Sequence, residues 1–81
     1  MSQIEKLYKK FLTQPETLKY HELEKVLVYL NFERIEAKGS HVKFKHRKLT
    51  FDIVIPLHKN DCKNFYKKQA RNQITSLITK I

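Results

Sequence analysis

Across residues 4–30 the apolar side chains recur at spacings of three and four, and from Phe32 to Ile55 they recur at spacings of two. No other feature limits the fold as tightly, because the first spacing buries one face of a helix and the second one face of a strand. Ile4, Leu7, Tyr8, Phe11 and Leu12 predict an amphipathic helix over residues 2–13, which Thr13-Gln14-Pro15 ends. Leu23, Val26, Leu27 and Leu30 predict a second helix over residues 20–30. Val28 and Tyr29 widen its apolar surface, so it is expected to be covered on two sides, by a sheet and by the first helix.

In the second half Glu33, Ile35 and Ala37 alternate with Phe32, Arg34 and Glu36, and after Lys38-Gly39-Ser40 the residues Val42 and Phe44 alternate with His41, Lys43 and Lys45. These read as two strands of a hairpin. Arg47-Lys48 is expected to make a second tight connection into a third strand carrying Leu49, Phe51, Ile53 and Ile55, with Pro56 terminating it. Asp61 is expected to cap a last helix over residues 62–80, with Tyr66, Ala70, Ile74, Leu77 and Ile81 as its buried stripe and Lys67, Lys68 and Arg71 flanking it.

The fold class that follows is α+β. An α-β-β-β-α core over residues 19–81 holds a three-stranded antiparallel sheet, and an additional N-terminal helix and turn over residues 1–18 precede it. The helices are expected on one sheet face, leaving the other open to solvent or ligand. The 81 residues leave room for one domain, and the single cysteine, Cys62, has no internal disulfide partner, so an apolar core must hold the fold. The same order of elements is the layout of double-stranded-RNA-binding domains, an analogy of layout that leaves function open.

Charge narrows the class of partner. Residues 1–36 hold six side chains of each sign, whereas residues 37–81 hold eleven basic ones against Asp52 and Asp61, so the whole net charge of +9 lies in the second half. Lys38, Lys43, Lys45, Arg47 and Lys48, with His41 and His46 among them, form a block with no acid, an electrostatic footprint for a polyanion. A solvated surface is the plainer alternative that charge alone leaves open. The longest apolar run is residues 26–30, which excludes a membrane span, and the densest basic segment alternates like a strand rather than an amphipathic helix on a membrane surface. Glu5-Lys6 and the lack of an apolar leader with a cleavage site place the chain, as an expectation, in the cytoplasm.

Gly39, the one glycine, stands at the hairpin bend directly before Ser40 and His41. Its structural reading is a residue that tolerates positive φ in a tight turn, with His41 merely opening a strand. Its functional reading begins with direction. Val42 and Phe44 must face the core, so His41 points to the open face with Lys43 and Lys45. A neutral imidazole accepts a proton. RNA carries its own nucleophile in the 2′-hydroxyl, so cleavage needs a base, cations for the charge on the phosphorus oxygens and an acid for the leaving 5′ oxygen. His41 fits the base, Lys38, Lys43 and Lys45 the cations, and His58 an acid or a phosphate contact, with a loop histidine bonded to the backbone as the plainer reading of His58. No cofactor or metal is required. His21, His41, His46, His58 and Cys62 lack the paired close spacings of zinc sites, and His21 and His46 read as surface residues. A His58–Cys62 nucleophilic dyad is weaker, because so small a chain offers little else to build an oxyanion site.

The run Leu30-Asn31-Phe32, then Arg34, then residues 38–44 as Lys-Gly-Ser-His-Val-Lys-Phe, then Ile55-Pro56-Leu57-His58 and a helix containing residues 66–70 as Tyr-Lys-Lys-Gln-Ala, resembles the HicA toxins of bacterial toxin–antitoxin systems. The resemblance implies a compact fold similar to double-stranded-RNA-binding domains and a metal-independent endoribonuclease that degrades mRNA. The family's catalytic histidine falls on His41, with Gly39 and Ser40 as its supporting loop. A HicB-type antitoxin is implied as the neutralising partner in a hetero-oligomer, and any DNA binding is implied to be indirect, through that antitoxin. Asn31 stands where the family usually has Gly, the last helix lacks the Gly often found early in it, and the leading helix is absent from the shortest members. Two rival readings use the same residues: a non-catalytic RNA-binding module of this fold, and a decayed toxin that only binds its antitoxin.

Overall fold

The computed structural model describes residues 2–50, 52–59 and 61–79. Helix α1 spans Gln3–Thr13 and a single 3-10 turn spans Pro15–Thr17; α2 spans Tyr20–Tyr29 and α3 spans Asn64–Thr79. Strands β1 (Glu33–Glu36), β2 (His41–Lys45) and β3 (Ile53–Pro56) form one antiparallel sheet in the order β1-β2-β3. The expected α+β order therefore holds, an α-β-β-β-α core behind a leading helix.

The ends of α1 and the end of α2 have chemical causes. The Ser2 hydroxyl accepts the Glu5 N–H at 3.3 Å and donates to the Glu5 carboxylate at 3.0 Å, satisfying one of the amides that a helix start leaves without a partner. At the other end of α1 the Arg71 guanidinium donates to the Leu12 carbonyl at 3.1 Å, tying α3 across to α1. Helix α2 ends in a Schellman motif. Asn31 takes φ +71°, its N–H bonds the Val28 carbonyl and the Phe32 N–H bonds the Leu27 carbonyl, both at 3.0 Å. Asparagine reaches this left-handed geometry more readily than most residues, so it does here the work of a glycine.

The core lies between the helices and one face of the sheet. Phe11 of α1, Leu23, Val26 and Leu27 of α2, Val42, Phe44, Ile53 and Ile55 of the sheet and Ala70, Ile74 and Leu77 of α3 are all buried. Alternation along β2 and β3 sends His41, Lys43, Lys45 and Val54 to the exposed face. Tyr20, at the start of α2, closes the margin of this core with a polar bond: its hydroxyl donates to Glu24 at 2.8 Å, and Glu24 also pairs with Arg34 of β1.

Several expectations need correction. The third strand begins at Ile53, not Leu49. Arg47 and Lys48 do make the expected tight turn, closed by the Leu49 N–H on the His46 carbonyl at 3.0 Å, but Leu49 and Thr50 lie outside the sheet, and the Leu49 side chain turns in to the core margin. Asp61 does not cap α3, which starts three residues later. Its carboxylate accepts the Tyr20 N–H at 3.1 Å, and so caps α2 instead. Lys67 does not flank the α3 stripe but is buried in it at 4% exposure, because its ammonium reaches Asp61 at 3.4 Å. Helix α1 does pack on α2, with the Tyr8 ring 6.1 Å from that of Tyr29, but Val28 and Tyr29 stay about half exposed, so the cover on that flank is partial. His46 is half-buried rather than a free surface residue, with its ring 4.9 Å from Phe32 and its Nδ1 accepting the Lys48 N–H at 3.1 Å. Phe51, Lys80 and Ile81 lie outside the described residues.

Candidate active site

His41 is the first residue of β2 and lies on the open face because Val42 and Phe44 on either side of Lys43 are drawn into the core. The turn before it is fixed by Gly39, whose φ of +74° belongs to the left-handed region; a Cβ there would meet no atom within 4 Å, so the backbone angle and not space explains the glycine. The Ala37 N–H bonds the His41 carbonyl at 3.0 Å on one side. On the other, His41 is the cross-strand partner of Pro56, and the Leu57 N–H bonds the Ser40 carbonyl at 2.9 Å. The His41 carbonyl is thus tied on the β1 side, and the carbonyl of Ser40 just before it on the β3 side.

The register sets what surrounds the imidazole. Lys43 lies between Ile35 and Val54, and Lys45 is opposite Glu33. Lys38 and Ser40 are exposed in the turn beside His41. Pairing of Leu57 with Ser40 brings His58, one residue further on, to the same end of the sheet; its N–H bonds the Asp61 carbonyl at 2.7 Å, and its side chain is exposed. Arg47 and Lys48 go elsewhere. They follow the far end of β2, beyond Lys45, and Lys45 is itself roughly 13 Å along the strand from His41 at about 3.3 Å per residue. The basic residues therefore form a stripe along β2 rather than a cluster around His41, with Lys38 and Lys43 near the imidazole and Arg47 and Lys48 remote from it.

Cys62 is buried, and burial, opposed by Lys67 and reinforced by Asp61, pushes its thiol up; this is the reverse of what a nucleophilic dyad with His58 needs. Among the described residues no three His, Cys, Asp or Glu side chains are grouped to hold a metal ion, and none of their helices is long and apolar enough to cross a membrane. Sequence reasoning missed a cleft next to this end of the sheet, between the end of β3 and the start of α3, because it arises from two elements that no local pattern brings together.

An α-β-β-β-α core whose open sheet face presents a histidine directly after a Gly-Ser turn, with lysines in line behind it, defines a small α+β protein of the double-stranded-RNA-binding-domain type bearing a basic histidine site. Residues 20–74, more than half of the chain, match the family described as the HicA toxin of bacterial toxin–antitoxin systems, and the chain belongs to that family. Searches of curated proteins and of solved structures found no match. The matched span holds α2, the whole sheet and much of α3, and α1 precedes it. Membership of a toxin–antitoxin family implies an antitoxin partner.

Proposed function

We propose that this chain is the endoribonuclease toxin of its pair, cutting mRNA in the cytoplasm until a HicB-type antitoxin covers the site. The observation that carries the reading is His41, exposed on the basic sheet face of a HicA-family chain, with its carbonyl bonded from Ala37 and Pro56 opposite it in the sheet. Its imidazole takes the proton of the ribose 2′-hydroxyl. The 2′ oxygen attacks the adjacent phosphorus, the bond to the 5′ oxygen breaks, and a 2′,3′-cyclic phosphate and a 5′-hydroxyl end result. Lys38 and Lys43 stabilise the charge that gathers on the phosphoryl oxygens, and Lys45, Arg47 and Lys48 hold the strand further along. His58 is the group at hand to return a proton to the leaving oxygen. Gly39 and Ser40 keep the turn that aims His41. DNA lacks the 2′-hydroxyl and is not cut; any promoter contact is made by the antitoxin.

The test is induced expression of the unmodified chain and of His41→Ala in parallel, with growth and RNA integrity followed and folding checked by circular dichroism. The unmodified chain arrests growth and degrades RNA, while the folded variant loses cleavage by about 10²–10⁴-fold, the usual contribution of a general base. Equal cleavage by both forms removes His41 from the mechanism. A harmless chain with intact RNA removes the nuclease reading altogether.

A further inference from the structure

The cleft beside the His41 end of the sheet has a volume of about 400 Å³ and is walled by Pro56, Leu57, His58 and Tyr66, with Asp61, Cys62 and Lys63 completing it. It adjoins the candidate site through the backbone: Pro56 is the cross-strand partner of His41, and such partners have Cα atoms about 5 Å apart. Its inner wall is largely apolar. Next to Tyr66 on α3 stands Phe65, at 65% the most exposed large hydrophobic side chain among the described residues, and the two rings meet edge to face with centroids 5.2 Å apart. A ring held at its edge leaves a face free for a planar partner.

The charge around the cleft selects that partner. Lys63 lines it, and two further lysines are exposed: Lys59, next in sequence to His58 of its wall, and Lys68, three residues beyond Phe65 on the same face of α3. The only acid in residues 57–71 is Asp61, and its carboxylate is already engaged by the Tyr20 and Cys62 amides and the Lys67 ammonium. An apolar slot with an exposed aromatic ring beside it, and with more cations than its one acid, Asp61, can offset, matches a ligand that is planar and apolar on its faces and anionic along its backbone.

We propose that the cleft and the Phe65 ring seat an unpaired RNA base next to the phosphate at His41, an inference that rests on the RNA-binding part of the reading above. Stacking holds the base, and the ribose–phosphate chain then passes over Pro56 to the imidazole. Bases within a duplex are already stacked and cannot enter, so the substrate class is single-stranded RNA. Phe65 is a positioning residue: it touches the base and not the reacting atoms.

The experiment measures binding by fluorescence anisotropy to the His41→Ala chain, alone and combined with Phe65→Ala or Phe65→Trp. The probes are a labelled six-nucleotide oligoadenylate and an abasic ribose-phosphate chain of the same length. Phe65→Ala weakens the oligoadenylate about tenfold, Phe65→Trp keeps the affinity, and the abasic chain binds all three proteins alike. Phe65 is exposed, so its replacement leaves the core untouched. Equal oligoadenylate affinity for all three proteins overturns the subsite, as does no RNA binding at all. Loss of antitoxin affinity with RNA affinity unchanged overturns it as well and makes the ring part of a protein interface. Cleavage by the unmodified chain is scored separately: no cleavage, with the Phe65 dependence intact, overturns the nuclease reading and leaves the base subsite standing.

Discussion

The carboxylate of Asp61 accepts the backbone N–H of Tyr20 at 3.1 Å, so the first turn of α2 is capped by a residue 41 positions further along the chain. The same oxygen accepts the Cys62 N–H at 2.8 Å and faces the Lys67 ammonium at 3.4 Å. One side chain thus fixes where α3 begins relative to α2. Asp61→Ala removes the cap and leaves the buried Lys67 ammonium without its partner. Because Asp61 is itself half exposed, the loss falls short of that for a fully buried pair, at about 2 kcal/mol. Asp61→Asn keeps an acceptor for the amides and loses less. Urea denaturation of the three proteins gives the order directly.

Acid stability follows from the same group. Burial pushes the Asp61 carboxyl up, but the Cys62 amide, the Lys67 ammonium and the Tyr20 amide together outweigh it and hold the group below its ordinary value of 3.8. Glu22, whose carboxylate accepts the Lys19 N–H at 2.9 Å, is likewise held below 4.5. A carboxyl lowered in the folded state contributes stability in full above its unfolded value and loses it as pH falls through the folded one. The urea midpoint is therefore steady from neutral pH down to about 5 and falls below about 4, and Asp61→Asn flattens part of that fall.

At the alkaline end the group to watch is Tyr20. Burial, then its bond to Glu24, push the hydroxyl up to about 12 against the opposing pull of Arg34. Absorbance titration of the phenolate band contains a component near 12 that Tyr20→Phe removes and Glu24→Gln moves down. The stability this contributes is whole below the ordinary value of 10.0 and is lost as pH rises through about 12.

The β1–β2 turn depends on a backbone angle. With φ at +74° and no atom within 4 Å of an added Cβ, Gly39→Ala meets strain but no clash. The expected cost is about 1 kcal/mol, and Gly39→Asn costs less, as Asn31 at φ +71° in this same chain illustrates. The urea midpoints of the two variants settle the order.

Salt dependence reads out the basic stripe. If single-stranded RNA engages four to six phosphates, log affinity falls with log salt at a slope of roughly −3 to −4. Measured on the His41→Ala background, Lys43→Ala and Lys48→Ala each make the slope shallower by about 0.7. In an otherwise unmodified chain only Lys43→Ala, beside the imidazole, also slows cleavage at saturating RNA. A slope near zero moves RNA off this face.

Much of this was readable in the residues themselves. The alternation of Val42 and Phe44 with His41, Lys43 and Lys45 dictates which way the imidazole points, because a strand has only two faces and one must be buried. The Gly39 bend and the left-handed Asn31 follow from equally local rules. What stayed hidden depends on partners chosen across the fold. Asp61 sits where a cap for its own helix is expected, and only assembly shows the Tyr20 amide to be within its reach. Lys67 looks like a solvated lysine until a carboxylate is set beside it. The turn at Arg47-Lys48 was legible, but the His46 ring packing on Phe32 while its Nδ1 takes the Lys48 N–H is not something the apolar alternation announces.

The strand order has a consequence for how steadily the chemistry is mounted. β1 and β3 each have one unpaired edge and can fray singly, whereas β2 between them opens only when both ladders are given up. The imidazole therefore rides on the least yielding strand of the sheet, while the turn before it and the loop after Pro56 lie outside the paired strands; on the nuclease reading proposed above, these are the segments that a strand of RNA passes. On that reading, the central strand keeps the aim of His41 steady when either outer strand frays.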